Sequence, residues 1–247
     1  MKKIFILLLI PIIACAHKIS IEEMGTRQRI QVADDFYAKK RYRPAQEIYE
    51  KITFESKGDT LVKKAQYQLA NCYYNLKLYE DAIFEYEELL RLFPVSKYSE
   101  DVEFMIGMCW YKLSYPSYYD QEETKKAIEQ FEYFLIRYPK SEKKAQAVGI
   151  LNKCRNELLE KKYENAYIYY KMEYYNAALM YLYEIFDEDT NEDTNEEIDK
   201  KALILAAKIY NKKKDWDSLN KVLETFIQKC PDHPYIKEIE RYLSNKN

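Results

Sequence analysis

Leu69-Ala70-Asn71-Cys72-Tyr73-Tyr74, then Tyr79-Glu80-Asp81-Ala82-Ile83-Phe84-Glu85-Tyr86, closed by Pro94, is the stretch whose pattern decides the fold. A small residue, Ala70, is followed three positions later by the ring of Tyr73, and Ala82 is followed four positions later by Tyr86. Those spacings put each pair on one face of a helix. The residues between Tyr74 and Tyr79 supply a short turn, and Pro94 stops the second helix. One small-then-ring helix followed by a second therefore forms a hairpin with a single apolar seam.

Working outward, the same pattern recurs in phase. Ala45, Ala82, Ala127, Ala178 and Leu219 are five anchors, each followed four residues later by Tyr49, Tyr86, Phe131, Leu182 or Leu223. Twelve residues before four of them stand Ala33, Ala70, Ala166 and Ala207, and nine before stand Phe36, Tyr73, Tyr169 and Tyr210. Pro94, Pro139 and Pro231 end the second, third and fifth units. A two-helix unit of about 34 residues, repeated, cannot bury its seam alone, so neighbours stack into one core. The units resemble the tetratricopeptide repeat. That resemblance implies an all-α solenoid of about five helix pairs from Arg27 to Cys230, with Asp232 to Leu243 as a capping helix.

Composition agrees with long helices and short connections. The 247 residues include only 4 Gly and 7 Pro, with 47% hydrophobic and 32% charged side chains. The 26 Tyr need half-buried places, because the ring is apolar while its hydroxyl seeks water or a partner.

The N-terminus reads as a targeting segment. Lys2 and Lys3 precede the apolar run Ile4 to Ile13, too short for a membrane span of roughly 20 residues but suited to a secretory signal. Ile12-Ile13-Ala14-Cys15 resembles a lipoprotein box, which implies cleavage after residue 14 and lipidation of Cys15. The expected organisation is a signal peptide at 1–14, a lipidated linker at 15–26 and the repeat domain at 27–247. Cleavage leaves 37 basic against 41 acidic side chains, so no basic surface for nucleic acid is expected. Acyl chains on Cys15 would tether the chain to a membrane that it does not span.

Cys72, Cys109, Cys154 and Cys230 show no metal-ligand spacing and read as small core residues. Cys72 and Cys109 fall at equivalent places in successive units, and packed helices about 8–10 Å apart are too distant for a disulfide. The only histidines are His17 and His233, and the chain has neither a nucleophile motif nor a Gly-rich phosphate loop. No catalytic residue, metal or cofactor is expected. The acidic run Glu188 to Glu197, with its tandem Glu-Asp-Thr-Asn, reads as a solvated loop.

Two features suggest binding. Directly after the core rings come Tyr37, Tyr74, Tyr111 and Tyr170, with Asn211 in the last unit. One step beyond a core position is a rotation of about 100°, toward the edge of the buried stripe. In a repeat of this kind the first helices line the concave face, so these residues are expected as a ladder facing a groove, with Tyr67 and Asn71 beside it. The alternative is that they complete inter-repeat packing. The second feature is the stretch Ser114-Tyr-Pro-Ser-Tyr-Tyr-Asp-Gln121 of the third unit. Trp110 lies 17 residues before Ala127 where nine is the rule, so eight residues are inserted between the two helices. Asp120 with Glu123 is expected to cap the following helix, while Tyr115, Pro116, Tyr118 and Tyr119 have no evident structural task.

Several segments together resemble the BamD family of outer-membrane barrel-assembly lipoproteins. They are Tyr118-Tyr119-Asp120-Gln121-x-x-Thr124-x-x-Ala127-Ile128, Tyr138-Pro139-x-Ser141, the long helix through Arg155 and Leu158 to Ala166-x-x-Tyr169-Tyr170, and Tyr175-x-Ala177-Ala178. The resemblance implies a non-enzymatic adaptor, lipid-anchored to the outer membrane and facing the periplasm. Its implied partners are the barrel-forming assembly protein, accessory lipoproteins and unfolded outer-membrane proteins. N-terminal repeats are implied to meet substrate, and C-terminal repeats the barrel subunit. A periplasmic repeat lipoprotein scaffolding cell-wall maintenance or division is the alternative.

Overall fold

The computed structural model describes residues 21–55, 61–188 and 196–244. Cys15, His17, the signal segment and most of the acidic run lie outside the described residues. After a short 3-10 turn (Ile21–Glu23) come eleven α-helices, and no strand occurs among the described residues. They are α1 (Thr26–Ala38), α2 (Tyr42–Glu55), α3 (Val62–Asn75), α4 (Tyr79–Leu92), α5 (Ser99–Leu113), α6 (Glu122–Arg137), α7 (Lys144–Lys171), α8 (Tyr175–Glu188), α9 (Glu196–Lys213), α10 (Trp216–Lys229) and α11 (Ile236–Ser244). Each helix packs on the next, and α7 also touches α5 and α9. This is a tetratricopeptide-repeat solenoid: α1/α2, α3/α4, α5/α6, the C-terminal half of α7 with α8, and α9/α10, capped by α11.

The anchor columns become the core. Ala45, Ala82, Ala127, Ala178 and Leu219 are fully buried, as are Ala33, Ala70, Ala166 and Ala207. Opposite them Tyr49, Tyr86, Phe131 and Leu182 are closed from solvent. Small side chains on one helix let the large ones of the other descend between them, which is how a hairpin reaches interior packing density. The third unit takes this furthest. At Gly107 even a methyl group would come within 2.9 Å of the Phe131 ring.

The turns inside four units are alike and need no glycine. Lys40, Lys77, Glu173 and Lys214 all have positive φ, between 57° and 63°. In each, the next residue's N–H donates to the backbone carbonyl of the core-ring residue: Arg41 to Phe36, Leu78 to Tyr73, Tyr174 to Tyr169 and Asp215 to Tyr210, at 2.9–3.0 Å. The left-handed residue itself donates to the carbonyl of Tyr37, Tyr74, Tyr170 or Asn211. That pair of bonds is the Schellman ending of a helix, which satisfies its last carbonyls and turns the chain sharply.

The cysteines among the described residues are free and buried. Burial raises the thiols of Cys72 and Cys109 to about 12 and that of Cys154 to about 11, so they are poor nucleophiles. Helix α7 joins two cores. Ala147, Ile150, Leu151 and Cys154 pack with Phe104, Phe131 and Phe134, whereas Leu159 and Ala166 belong to the C-terminal core with α8–α11.

Candidate functional site

The ladder tyrosines are each half-buried, and Tyr37, Tyr74 and Tyr170 lie at the mouths of the Schellman turns. Tyr37 meets the ring of Tyr42 edge-on at 5.3 Å, Tyr74 meets Tyr79 at 5.5 Å and Tyr170 meets Tyr175 at 6.1 Å. The spacing of five residues across the turn is common to all three. Asn75 Nδ2 donates to the Tyr37 hydroxyl at 3.2 Å and so ties the first unit to the second. Tyr111 lacks the ring partner because the insertion replaces its turn, and the Lys112 ammonium lies 5.5 Å from its ring centre. One face of the Tyr37, Tyr74 and Tyr170 rings thus completes the turn, and the half-buried remainder is left at the surface.

Tyr67 and Asn71 are committed inside the wall. Tyr67 stacks on Tyr98 at 4.6 Å and its hydroxyl donates to Asp101, which also pairs with Lys143. Asn71 accepts from the Tyr86 hydroxyl at 2.6 Å and donates to Gln68 at 3.0 Å. Their polar atoms hold α3 to α4 and α5, because residues 67 and 71 are rotated toward the neighbouring helices.

The insertion is an ordered loop with a buried staple. Of the eight added residues, one lengthens α5, two lengthen α6 and five form the loop proper. The expected Asp120 cap is not what starts α6. Its carboxylate accepts only from the adjacent Gln121 N–H, at 2.7 Å, one residue too early to reach the first turn. Gln121 holds the cap position and is only 4% exposed. Its Nε2 donates to the carbonyls of Pro116 at 2.9 Å, Tyr115 at 3.2 Å and Tyr119 at 3.3 Å, while its Oε1 accepts from Thr124 at 2.8 Å. Buried Ser117 donates to Glu164 of α7 at 3.1 Å, pinning the loop to the long helix. Tyr115, Tyr118 and Tyr119 touch one another and remain 57%, 64% and 54% exposed.

A groove at the C-terminal end combines one ladder column with residues that the sequence reading did not select. A cavity of about 280 Å³ between α7, α9 and α11 is lined by Tyr163, Tyr167, Tyr170, Ile204, Asn211 and Tyr242, together with Lys171, Lys208 and Lys212. Tyr170 and Asn211 are the ladder positions of the fourth and fifth units. Tyr163, Tyr167 and Tyr170 recur at four and three residues on one face of α7, and Ile204, Lys208, Asn211 and Lys212 do the same on α9. That periodicity was present in the sequence, but the repeat columns drew attention only to the residue after each core ring. Lys171 lies over Tyr167 at 5.3 Å and Lys208 over Tyr235 at 5.7 Å. Nothing in the lining is a carboxylate, and its rings and ammonium groups make it a candidate binding surface.

Comparison with known proteins fits this picture. A family model described as "YfiO: Outer membrane lipoprotein" matches residues 23–193. A search of curated proteins returned no match. Among solved structures, the TPR2AB-domain:pHSP90 complex of yeast Sti1 is 15% identical, with 90% of this chain and 98% of that one covered and a TM-score of 0.40. A thermophilic TPR protein of Thermus thermophilus, TTC0263, is 16% identical over 89% and 98%, with a TM-score of 0.38. Pseudomonas aeruginosa pilF is 17% identical over 88% and 82%, with a TM-score of 0.34. Likeness this low leaves the repeat assignment to the chain's own helix pairing. Helical repeats of this kind are protein-interaction scaffolds.

Proposed function

This chain belongs to the YfiO family of outer membrane lipoproteins, and from that premise we propose that it is a non-enzymatic subunit of the machinery that inserts barrel proteins into the outer membrane. In this reading it is lipidated at Cys15, faces the periplasm, holds the barrel-forming assembly protein and its accessory lipoproteins, and receives unfolded outer-membrane proteins. The observation that carries it is the family match, which spans four of the five repeats. The solenoid is consistent with the role because it offers aromatic surfaces at several places along its length: Tyr37 and Tyr74 at the turn mouths, Tyr111 at the end of α5, Tyr118 and Tyr119 on the loop, and Tyr170 in the C-terminal groove. Tyrosine supplies large, rigid contact area at little entropic cost, which suits partner surfaces.

The test is affinity purification of the endogenous protein from outer membranes, alongside the Cys15→Ser variant. A barrel-forming partner is expected to co-purify with the natural protein, and the variant is expected in the soluble fraction. Recovery of cell-wall proteins without a barrel-forming partner would support the scaffold of cell-wall maintenance instead. A variant that fractionates unchanged would remove the anchor.

A further inference from the structure

The groove between α7, α9 and α11 is lined by three lysines and no carboxylate. The larger one beside Pro139 mixes Lys97, Arg137, Lys140 and Lys143 with Glu100, Asp101 and Glu142, and so neutralises itself. The one between α8 and α10 has Lys221 and Lys229, but Lys229 is paired with Asp199 at 3.4 Å. Three lysines of α7 and α9 outside the groove have acidic partners, Lys162 with Glu184, Lys200 with Glu196 and Lys201 with Glu160. Lys171, Lys208 and Lys212 have none among the described residues, although acidic side chains outnumber basic ones in the chain. Glu238 of α11 is not in the groove's lining, and its carboxylate accepts from the Tyr242 hydroxyl. Lys208 is half-buried with its ammonium over the Tyr235 ring and no carboxylate partner among the described residues, so it is open to an anion supplied from outside.

The geometry also says which kind of anion. Lys208 and Lys212 are one turn apart on α9, about 6 Å along the axis. Alternate side chains of an extended peptide are about 6.6 Å apart and share a side, while the residue between them points the other way. Across the groove from the lysines stand Tyr163, Tyr167 and Tyr170. We propose that this groove binds an extended segment of a partner protein with the pattern acid–apolar–acid: two carboxylates on Lys208 and Lys212 and an aromatic or large aliphatic side chain between them against the α7 tyrosines. The inference deepens the adaptor reading by stating the chemistry of one partner segment, and it rests on that reading for its biological use.

The test uses the purified soluble chain lacking residues before Cys15 and short labelled peptides in fluorescence anisotropy. The central triplets are Glu-Phe-Glu, Gln-Phe-Gln, Glu-Ser-Glu and Lys-Phe-Lys, each in a neutral Gly/Ser frame. Glu-Phe-Glu is expected to bind, with affinity falling as salt rises. Loss of either the charges or the ring is expected to weaken it about tenfold or more, and Lys-Phe-Lys should not bind. Lys208→Gln with Lys212→Gln, and separately Tyr167→Ala, should reproduce those losses with helicity retained. Lys97→Gln with Lys140→Gln, in the self-neutralised concavity, should change nothing. Equal binding of the Glu and Gln peptides, no binding of any peptide, or indifference of the folded Lys208/Lys212 variant would overturn the proposal. Those outcomes leave co-purification of a barrel-forming partner untouched, so the two failures are distinguishable.

Discussion

Gly107 is the residue where packing is tightest and its replacement most informative. Alanine favours a helix over glycine by roughly 1 kcal/mol, so on propensity alone Gly107→Ala should stabilise. The Phe131 ring at 2.9 Å reverses that expectation, because the ring is fully buried and cannot give way without disturbing Phe104 and Phe134. Overpacking costs about 1–3 kcal/mol. A net loss of stability, read by urea unfolding, is expected, and a gain would mean that the ring moves freely. Glu85 is the second revealing residue. Burial, with the negative charges of Glu50, Glu88 and Asp81 nearby, raises its carboxyl from 4.5 to about 7, against a lowering by the Gln66 amide. The protonated form is therefore favoured in the folded chain relative to the unfolded one. Its contribution to stability is present below pH 4.5 and is lost as pH rises through about 7. Thermal melts of Glu85→Gln should accordingly equal or slightly trail the natural protein at about pH 5 and exceed it at about pH 8. A difference that does not depend on pH would show that Glu85 titrates normally.

At the scale of elements, the repeated turn is the device that sets each hairpin. Four units end their first helix with a left-handed residue that is Lys or Glu, where glycine would be unstrained. Lys77 is exposed and makes no ion pair among the described residues, so Lys77→Gly should raise stability by about 0.5–1 kcal/mol, whereas Lys77→Val should lower it. Equal effects of the two would mean that the turn tolerates φ of either sign. The left-handed form of these turns was not legible in the sequence, because the usual glycine signal is missing and lysine carries no conformational meaning of its own. The hairpins themselves were legible. Ala70 with Tyr73 and Ala82 with Tyr86 encode helix faces by spacing alone, and the same spacing placed the insertion correctly between α5 and α6. What spacing could not show was that Gln121, not Asp120, organises the loop. Gln121 works through three backbone carbonyls brought near by the fold, and no local pattern signals such bonds. Tyr67 and Asn71 were likewise readable as surface-facing only until Asp101 and Tyr86 were found opposite them. The C-terminal groove was half legible. Tyr170 and Asn211 follow from the repeat columns, but Lys208, Lys212 and Tyr242 converge only because α11 folds back beside α9.

Across the whole molecule, α7 is the spine. Between Cys154, the last residue of one core, and Leu159, the first of the next, Arg155 to Leu158 are helical without being buried. A repeat array unfolds as one unit only where neighbouring interfaces couple strongly. Asn156→Pro removes a helix bond at this joint and costs about 3 kcal/mol or more locally. Trp110 packs in the N-terminal part and Trp216 in the C-terminal core, so the two tryptophans report the two sides. Keeping one tryptophan at a time, the natural chain should show coincident urea transitions and the Asn156→Pro chain separate ones; coincidence in both would mean that the cores couple by contacts other than α7. The loop is pinned at Glu164, which lies between Tyr163 and Tyr167 of the lysine-lined groove on the same helix. In the function proposed above, this groove is where the scaffold meets a partner. The most direct measurement replaces Tyr167, in the groove, or Phe84, exposed on a second helix, with a photoreactive phenylalanine, followed by illumination of intact outer membranes. Crosslinking of a partner protein from position 167 and not from 84 is the predicted result. Crosslinking from 84 with none from 167 would contradict it.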